Sequence, residues 1–170
     1  ELLERLDAPA YKIASFELTD LPLIKRVAQT GKPMIMSTGM ANLKEIEEAI
    51  LTARENGCSE LVVLHCISAY PAPYEQANLA TIIDLSKRFD VISGLSDHTL
   101  GTVVSVTSVA FGACLIEKHF ILDRNDKGAD SAFSIEPHEL KRLVEETDAA
   151  HKAIGVAGYE RKPVENSSMK

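Results

Sequence analysis

Five short apolar runs alternate with five stretches of helical periodicity along this chain, and this alternation constrains the fold more than any other feature. Strands that are apolar throughout are typical of a parallel sheet with helices packed on its faces. The predicted strands cover residues 11–15, 33–37, 61–66, 90–96 and 114–120. The predicted helices cover residues 20–29, 42–56, 79–89, 102–111 and 137–154. We therefore expect an α/β protein built from βα units.

The ends of the predicted helices carry suitable capping residues. Asn42, followed three positions later by Glu45, predicts a capping box at the start of the second helix, and Gly57 marks the end of that helix. Pro137 suits the first turn of the last helix, which Gly155 closes. Local signals therefore agree with the periodic pattern.

Polar side chains recur where the predicted strands end. In a (β/α)₈ TIM barrel the carboxyl ends of all strands meet on the face that carries the active site, whereas an open doubly wound sheet spreads them along an edge. No βα turn carries a GxGxxG or GxxxxGK[ST] motif, which also argues against the open sheet. We therefore predict part of a TIM barrel, with about three further units outside the chain. The polar residues are Ser15, Glu17, Ser37, Thr38, His65, Ser68, Tyr70, Ser96, His98, Glu117 and His119.

The charge balance excludes two classes of partner. Aspartate and glutamate outnumber lysine and arginine by 25 to 18 in 170 residues, so the formal net charge is −7. A groove that follows nucleic acid, or a surface that binds anionic membranes, needs an excess of basic residues. No apolar run is long enough to span a membrane. We therefore expect neither nucleic acid nor a membrane as a partner.

The cysteines and the N-terminal segment indicate a cellular location. Cys58, Cys66 and Cys114 are odd in number and widely spaced, so they match neither a disulfide framework nor a zinc finger. Free thiols in a reducing compartment are expected. The first residues lack the basic and apolar regions of a signal peptide, so we expect a cytoplasmic protein. Because the chain starts without Met in what looks like the end of a helix, we also expect a piece of a longer protein.

Two histidines, His98 and His119, follow consecutive predicted strands. Neighbouring parallel strands lie about 5 Å apart, so imidazoles at their ends could share one divalent ion and leave positions open for water and substrate. Alternatively, each could be a hydrogen-bonded histidine at a barrel rim. His65 lies inside an apolar strand and is expected to be structural, while His138 and His151 are expected to be solvated on the last helix.

A lysine inside the first predicted strand and three strand-end serines form a candidate anion site. Lys12 either extends to solvent or points into the barrel mouth toward an anion. Hydroxyls at strand ends can simply satisfy loop backbone groups, but three of them beside one lysine match a phosphate or carboxylate cradle. The three serines are Ser15, Ser37 and Ser96.

Three carboxylates have two interpretations each. Glu17 and Asp130 could act as general acids or bases or bind sugar hydroxyls, or they could cap turns. Asp130 lies in the long polar loop 122–134, which is typical of a binding loop. Asp97 either orients a neighbouring side chain or caps its own loop.

Six motifs in order and spacing resemble the sialic acid synthase family, the phosphoenolpyruvate-dependent nonulosonic acid synthases. The resemblance runs from about residue 11 to residue 154. It implies that residues 1–156 form the C-terminal five-eighths of a TIM barrel, about strands four to eight. It also implies that residues 157–170 are a linker toward an antifreeze-like C-terminal domain, and that the full-length protein is a homodimer. The motifs are YKIASFE, KPMIMSTGM, VVLHCISAYPAP, GLSDHT, IEKHF and GADSAFS.

The same resemblance implies roles for individual residues. His98 and His119 match the family's two metal ligands, usually for Mn²⁺, with Mg²⁺ or Co²⁺ as alternatives. Glu17 matches a catalytic carboxylate, and Tyr70 and Asp130 match positions near the acceptor sugar. Five residues match phosphoenolpyruvate-binding positions, and at one of these, Ser68, the sialic acid branch has Asn instead. These five are Lys12, Ser15, Ser37, Ser68 and Ser96.

The resemblance implies condensation of phosphoenolpyruvate with the open-chain aldehyde of an N-acylated amino sugar. The segments CISAYPAPYEQAN and ADSAFS look closer to the pseudaminic acid synthases, whose acceptor is 2,4-diacetamido-2,4,6-trideoxy-altropyranose. N-acetylneuraminate and legionaminate synthases are the alternatives within the family. From other classes, a metal-dependent aldolase or lyase and a non-catalytic barrel module remain open.

Overall fold

The protein, seen here in a computed structural model that describes residues 2–169, contains one sheet of five parallel strands. The strands lie in the order β1-β2-β3-β4-β5, so each pairs with the next one along the chain. An open doubly wound sheet reverses its order at a switch point, whereas a barrel follows chain order. The predicted barrel fold is therefore confirmed. The strands are β1 Tyr11–Ile13, β2 Met34–Ser37, β3 Leu61–Cys66, β4 Ile92–Asp97 and β5 Ile116–Lys118.

Helices follow the strands as the periodicity predicts. At the second predicted helix, the Asn42 side chain accepts hydrogen bonds from the Lys44 and Glu45 amides, and the Glu45 carboxylate accepts one from the Asn42 amide, which confirms the capping box. A 3-10 helix, Pro163–Met169, lies in the segment predicted as a linker. The α-helices are α1 Leu2–Arg5, α2 Leu21–Ala28, α3 Leu43–Glu55, α4 Ala80–Phe89, α5 Val103–Ala110 and α6 Pro137–Ile154.

The hydrophobic core lies between the sheet and the helices. Alternate strand residues face opposite sides of a sheet, and the helix-facing set packs against α2 and α3. Ile24 of α2 and Ile50 of α3 are buried against Met34 and Val63 of the sheet. A second cluster joins α4 and α5 to the sheet through Ile82, Leu95 and Val104. The outer face of the sheet therefore supplies most of the buried apolar side chains, whereas Lys12, Ser37, Ser96 and Glu117 lie on the inner face.

One contact demonstrates that the sheet is curled. Nζ of Lys12, on β1, lies 3.3 Å from Oε1 of Glu117, on β5. These strands are the two edges of the sheet, and four strand spacings would separate them by about 19 Å in a flat sheet. The side chains meet because the sheet bends into part of a cylinder and both point into it. Among residues 2–169, no helix combines the length and apolarity needed to cross a membrane.

Two predicted strand boundaries were wrong at their carboxyl ends. β1 ends at Ile13, and Ser15 begins a 3-10 helix, Ser15–Glu17, because the Glu17 carboxylate accepts a hydrogen bond from the Ala14 amide and turns the chain. β5 ends at Lys118, so His119 lies just beyond the ladder, where its carbonyl accepts a hydrogen bond from the Ile135 amide instead.

Candidate active site

The strand pair β4–β5 builds the centre of the site. Its register places Ser96 opposite Glu117 and Asp97 opposite Lys118. Because the side-chain period of a strand is two, Ser96 and His98 face inward together, as do Glu117 and His119. The imidazole centroids of His98 and His119 lie 5.2 Å apart. The structure thus brings the two predicted metal ligands together at adjacent strand ends. They border a cavity of about 250 Å³ that Ser96 and Glu117 also line.

The orientation of His98 is set by the loop that follows β3. Its Nδ1 lies 2.9 Å from the carbonyl oxygen of Ile67, and a carbonyl only accepts, so Nδ1 carries the proton. In the neutral imidazole, Nε2 is then left with a free lone pair. Burial alone would lower the pKa of His98, but the Cys66 sulfur and the Ile67 carbonyl outweigh it and raise this pKa.

His119 has a similar arrangement with a carboxylate. Its Nδ1 lies 3.4 Å from Oδ2 of Asp130, an acceptor that favours a proton on Nδ1 and a free lone pair on Nε2. Burial, followed by the neighbouring His98, lowers the pKa of His119. Asp130, predicted as a sugar ligand, is therefore placed beside His119.

Aromatic rings cover one side of the histidine pair. The Tyr70 ring centroid lies 4.2 Å from that of His98 and 5.8 Å from that of His119. The Phe133 ring lies 5.0 Å from His119 and 5.3 Å from Tyr70. Tyr70 was predicted near the acceptor sugar, whereas Phe133 was not among the predicted site residues. Together the rings form an apolar wall next to two candidate ligands.

Glu117 was named among the polar residues at the predicted strand ends, but it was not assigned a role in the site. Its Oε1 accepts a hydrogen bond from the Ser96 hydroxyl at 2.8 Å and lies 3.3 Å from Nζ of Lys12. It thereby links one edge of the sheet to the other. The signal was present in the sequence, because Glu117 precedes His119 by two residues and must share its face.

The predicted serine positions collect around the ends of β1, β2 and β3. The Ser15 hydroxyl accepts a hydrogen bond from the Gly39 amide at 3.0 Å and is also a hydrogen-bond partner of the Cys66 sulfur. A Cβ on Gly39 would lie 2.1 Å from Oγ of Ser68, so Ser15 and Ser68 approach the same glycine. Oγ of Ser37 is buried without a hydrogen-bond partner among the described residues. Buried hydroxyls rarely stay unpaired, which fits a site awaiting a polar ligand.

Cys66 lies inward on β3, opposite Ser96. Its sulfur is 3.8 Å from Nδ1 of His98 and 4.0 Å from Oγ of Ser68. Burial would raise the pKa of Cys66, but hydrogen bonds with His98 and Ser15 outweigh it and lower this pKa. The thiol is free, as expected, and lies between His98 and the serine positions.

Glu17 stands apart from the histidine pair. Its carboxylate caps the 3-10 helix at the Ala14 amide, 2.9 Å away. Glu17 lines another cavity, of about 400 Å³, together with Tyr11 and Lys12 at the outer edge of β1. Its predicted catalytic role therefore remains a prediction, while its capping role is visible.

Asp97 and His65 have clear structural contacts, whereas His138 is exposed. Asp97 pairs with Lys118 and also accepts a hydrogen bond from the Thr99 amide, so it both orients a neighbour and caps its loop. Nε2 of His65 donates to the Ala77 carbonyl at 2.8 Å, in agreement with its expected structural role. His138 is exposed at the start of α6.

A second group of side chains has ligand atoms close enough for a metal ion. The ligand atoms of Glu136, His138 and Glu139 lie within 4.8 Å of one another. Both carboxylates are already engaged: Glu136 and Glu139 form the capping box of α6 and pair with Arg124. This group lies on a helix start, whereas His98 and His119 lie on the face where barrel active sites are built.

Several known proteins are similar to this chain in sequence. The chain is 45% identical over 157 residues to an N,N'-diacetyllegionaminic acid synthase of Campylobacter jejuni. It is 44% identical over 155 residues to a pseudaminic acid synthase of Helicobacter pylori. Both alignments cover 91% of the chain but only 47% and 46% of the relatives. The chain therefore spans about half the length of these relatives.

A solved structure and a family model also match this chain. The crystal structure of an N-acetylneuraminic acid synthetase from Leptospira borgpetersenii serovar Hardjo-bovis matches with a TM-score of 0.90 and 34% identity, over 99% of this chain and 59% of that chain. The expected resemblance to sialic acid synthases, pseudaminic acid synthases included, is confirmed. The NeuB family model matches residues 1–159. Since this match covers nearly the whole chain, the chain belongs to the NeuB family.

Proposed function

We propose that the full-length protein is a nonulosonic acid synthase. It condenses phosphoenolpyruvate with the open-chain aldehyde of an N-acylated amino sugar and releases phosphate. The observation that carries the proposal is the β4–β5 pair, where Ser96 bonds to Glu117 and His98 lies beside His119 on one inner face. This face combines a carboxylate and two imidazoles around one cavity, and Lys12 contacts that carboxylate. The NeuB family membership supports the same reaction class.

The histidine pair fits a divalent cation. Each Nδ1 faces an acceptor oxygen, of Ile67 or Asp130, which leaves each Nε2 available as a ligand. His98 and His119 would hold the ion, with Mn²⁺ expected and Mg²⁺ or Co²⁺ as alternatives. When bound, such an ion supplies Lewis acidity to the aldehyde oxygen.

Lys12 and the serines bind phosphoenolpyruvate in this proposal. Its phosphate and carboxylate are both anionic, and Lys12 supplies the positive charge inside the curled sheet. The Ser37 hydroxyl has no hydrogen-bond partner among the described residues, so it can donate to the anion, and the Ser15 hydroxyl can donate to the anion in place of the Cys66 sulfur. Ser68 and Ser96 complete the cradle. Holding both anionic groups fixes C3 of phosphoenolpyruvate for attack.

The bonds made and broken in the condensation assign a task to Glu117. C3 of phosphoenolpyruvate bonds to the aldehyde carbon, water adds at C2, and the C2–O bond to phosphate breaks. The water must lose a proton as it adds, and a carboxylate in reach of C2 can accept it. Glu117 contacts both Lys12 and Ser96, so it lies beside the proposed phosphoenolpyruvate ligands. Glu17 is the alternative base.

The proposed acceptor is 2,4-diacetamido-2,4,6-trideoxy-altropyranose, which would make the enzyme a pseudaminic acid synthase. Such a sugar carries a methyl group at C6 and a second acetamido group. The ring wall of Tyr70 and Phe133 offers apolar contact beside His119, which supports a deoxygenated acceptor. A legionaminic acid synthase is the second candidate. The sequence identity to the legionaminic acid synthase is 45%, and the identity to the pseudaminic acid synthase of Helicobacter pylori is 44%.

Phosphate release by the full-length protein tests the proposal. The protein is incubated with phosphoenolpyruvate and Mn²⁺, and three acceptors are supplied separately: the altrose derivative, the diastereomer of that sugar that would give N,N'-diacetyllegionaminic acid, and N-acetylmannosamine. We expect release with the altrose derivative. Release with only one of the other acceptors would move the protein to that branch. No release with any acceptor would contradict the synthase function and favour an aldolase or a non-catalytic module.

A further inference from the structure

A buried ion pair lies directly behind the histidine pair. Nζ of Lys118 is 2.9 Å from Oδ2 of Asp97, and the two side chains are 3% and 1% exposed. Both residues face outward, toward the helices, because their inward neighbours face the cavity. Lys118 also borders the cavity between the histidines, but its charged end points away from the cavity, toward Asp97.

The polar atoms of the pair are held by several further hydrogen bonds. The Thr99 amide donates to Oδ1 of Asp97 at 2.8 Å, and the Ser105 hydroxyl donates to Oδ2 at 2.5 Å. Nζ of Lys118 donates to the Thr99 carbonyl at 2.6 Å. The network thus joins β4, β5, the loop after β4 and the first turns of α5.

The location of the pair relates it to the candidate metal ligands. Asp97 immediately precedes His98, and Lys118 immediately precedes His119. The two residues are directly opposite in the β4–β5 register, at the last paired position of that ladder. Beyond it, the two histidine backbones diverge into separate loops. The ion pair is therefore the last side-chain link between the strands before the two imidazoles.

Stability alone does not account for this pair. Removing two charges from water is costly, and well-packed apolar residues often stabilise a protein equally well or better. What a fully hydrogen-bonded pair adds is a fixed distance and direction between the groups that carry it. Side chains that orient metal ligands commonly change metal affinity by about 10- to 100-fold when they are replaced.

We propose that Asp97 and Lys118 are positioning residues that set the spacing of His98 and His119 for a shared divalent ion. This inference rests on the proposed function, because it presupposes that these histidines bind the ion. It assigns a role to two residues whose charged groups bind each other rather than the ion.

The decisive variant is the neutral double replacement Asp97→Asn with Lys118→Met in the full-length protein. It leaves no unpaired buried charge, and the Asn oxygen can still accept from the Thr99 amide. Mn²⁺ affinity is measured by the electron paramagnetic resonance signal of the free ion, and stability by thermal unfolding without metal. We expect an unfolding midpoint close to that of the wild type and a Mn²⁺ affinity lower by about 10- to 100-fold. Unchanged affinity would overturn the proposal.

A milder pair of variants decides the matter if the double variant does not fold. Ser105→Ala removes one hydrogen bond to Asp97, whereas Ser108→Ala removes a comparable bond from a buried hydroxyl to the Ser105 carbonyl. We expect Ser105→Ala to weaken Mn²⁺ binding roughly two- to fivefold and Ser108→Ala to leave it unchanged. Equal affinities in these two variants would overturn the proposal.

His98→Ala separates failure of this inference from failure of the proposed function. If His98→Ala abolishes Mn²⁺ binding while the double variant binds normally, the metal site stands and the positioning role is wrong. If His98→Ala binds Mn²⁺ as the wild type does, the proposed metal site is wrong and the positioning role falls with it.

Discussion

Lys12 and Glu117 come from the two opposite edges of the sheet, yet Nζ of Lys12 lies 3.3 Å from Oε1 of Glu117 inside the curled strands. The Ser96 hydroxyl donates to the same carboxylate oxygen. Glu117 therefore binds the Lys12 ammonium group at the proposed phosphoenolpyruvate site, while His119, two residues further along the chain, lines the proposed metal site. This double contact makes Glu117 the residue whose replacement is most informative.

Glu117→Gln in the full-length protein is expected to lower kcat about 100-fold or more, because the amide cannot accept a proton from water. Glu17→Gln is the matched control, since it makes the same chemical change in the carboxylate that caps the 3-10 helix at Ala14. Steady-state phosphate release measures both. A large loss in Glu17→Gln together with near-normal Glu117→Gln would return the role of base to Glu17.

Replacing the histidines distinguishes the two groups of candidate metal ligands. We expect His98→Ala and His119→Ala to abolish Mn²⁺ binding and turnover, and to leave the circular dichroism spectrum unchanged. His138→Ala is the control, because His138 belongs to the second group of candidate ligands, with Glu136 and Glu139. Equilibrium dialysis with Mn²⁺ measures the affinities. Loss of binding in His138→Ala alone would move the metal to the start of α6.

Gly39→Ala tests the serine cradle through packing. The added Cβ would lie 2.1 Å from Oγ of Ser68 and 2.8 Å from Oγ of Ser15, so both hydroxyls must move. We expect KM for phosphoenolpyruvate to rise about tenfold or more, while KM for the sugar changes little. Gly158→Ala, where a Cβ meets only a carbonyl oxygen 4.0 Å away, serves as the control. Normal KM in Gly39→Ala would remove these serines from the phosphoenolpyruvate site.

His65 predicts a pH dependence of stability. Burial lowers the pKa of His65, against a weaker opposing effect of its bond to the Ala77 carbonyl. The unfolded chain then binds a proton more readily than the folded one. The stability contributed by neutral His65 is therefore fully present above the unfolded pKa of about 6.5 and is lost progressively as pH falls from there to the lowered pKa of the folded state. Urea unfolding between about pH 7.5 and 5, from roughly one unit above the unfolded pKa to roughly 1.5 units below it, measures the loss.

His65→Gln keeps a donor for the Ala77 carbonyl but does not titrate. We expect its stability to fall less steeply with decreasing pH than that of the wild type. His151→Gln, on the exposed side of α6, should retain the wild-type slope. Identical slopes in the wild type and His65→Gln would show that His65 is not the titrating group.

The order of strands and helices was predictable because each element is specified by nearby residues. The apolar runs mark the strands, and the Asn42–Glu45 box marks a helix start. His98 and His119 could be predicted as neighbours, since they end consecutive parallel strands and such strands pair in register. These inferences need only a period of two, a period of 3.6 and the βα connection rule.

The remaining relationships depended on tertiary structure. The periodicity of apolar residues does not determine how strongly five strands curl. The contact between Lys12 and Glu117, which are about 100 positions apart in the sequence, could therefore not be predicted from it. The same periodicity could neither decide between the two interpretations of Glu17 nor predict the ion pair of Asp97 with Lys118. Both depend on which residues of neighbouring segments lie next to these side chains. The sequence by itself determined which residues face inward at which strand end. Only the summed twist and closure of the sheet decided which of those residues touch.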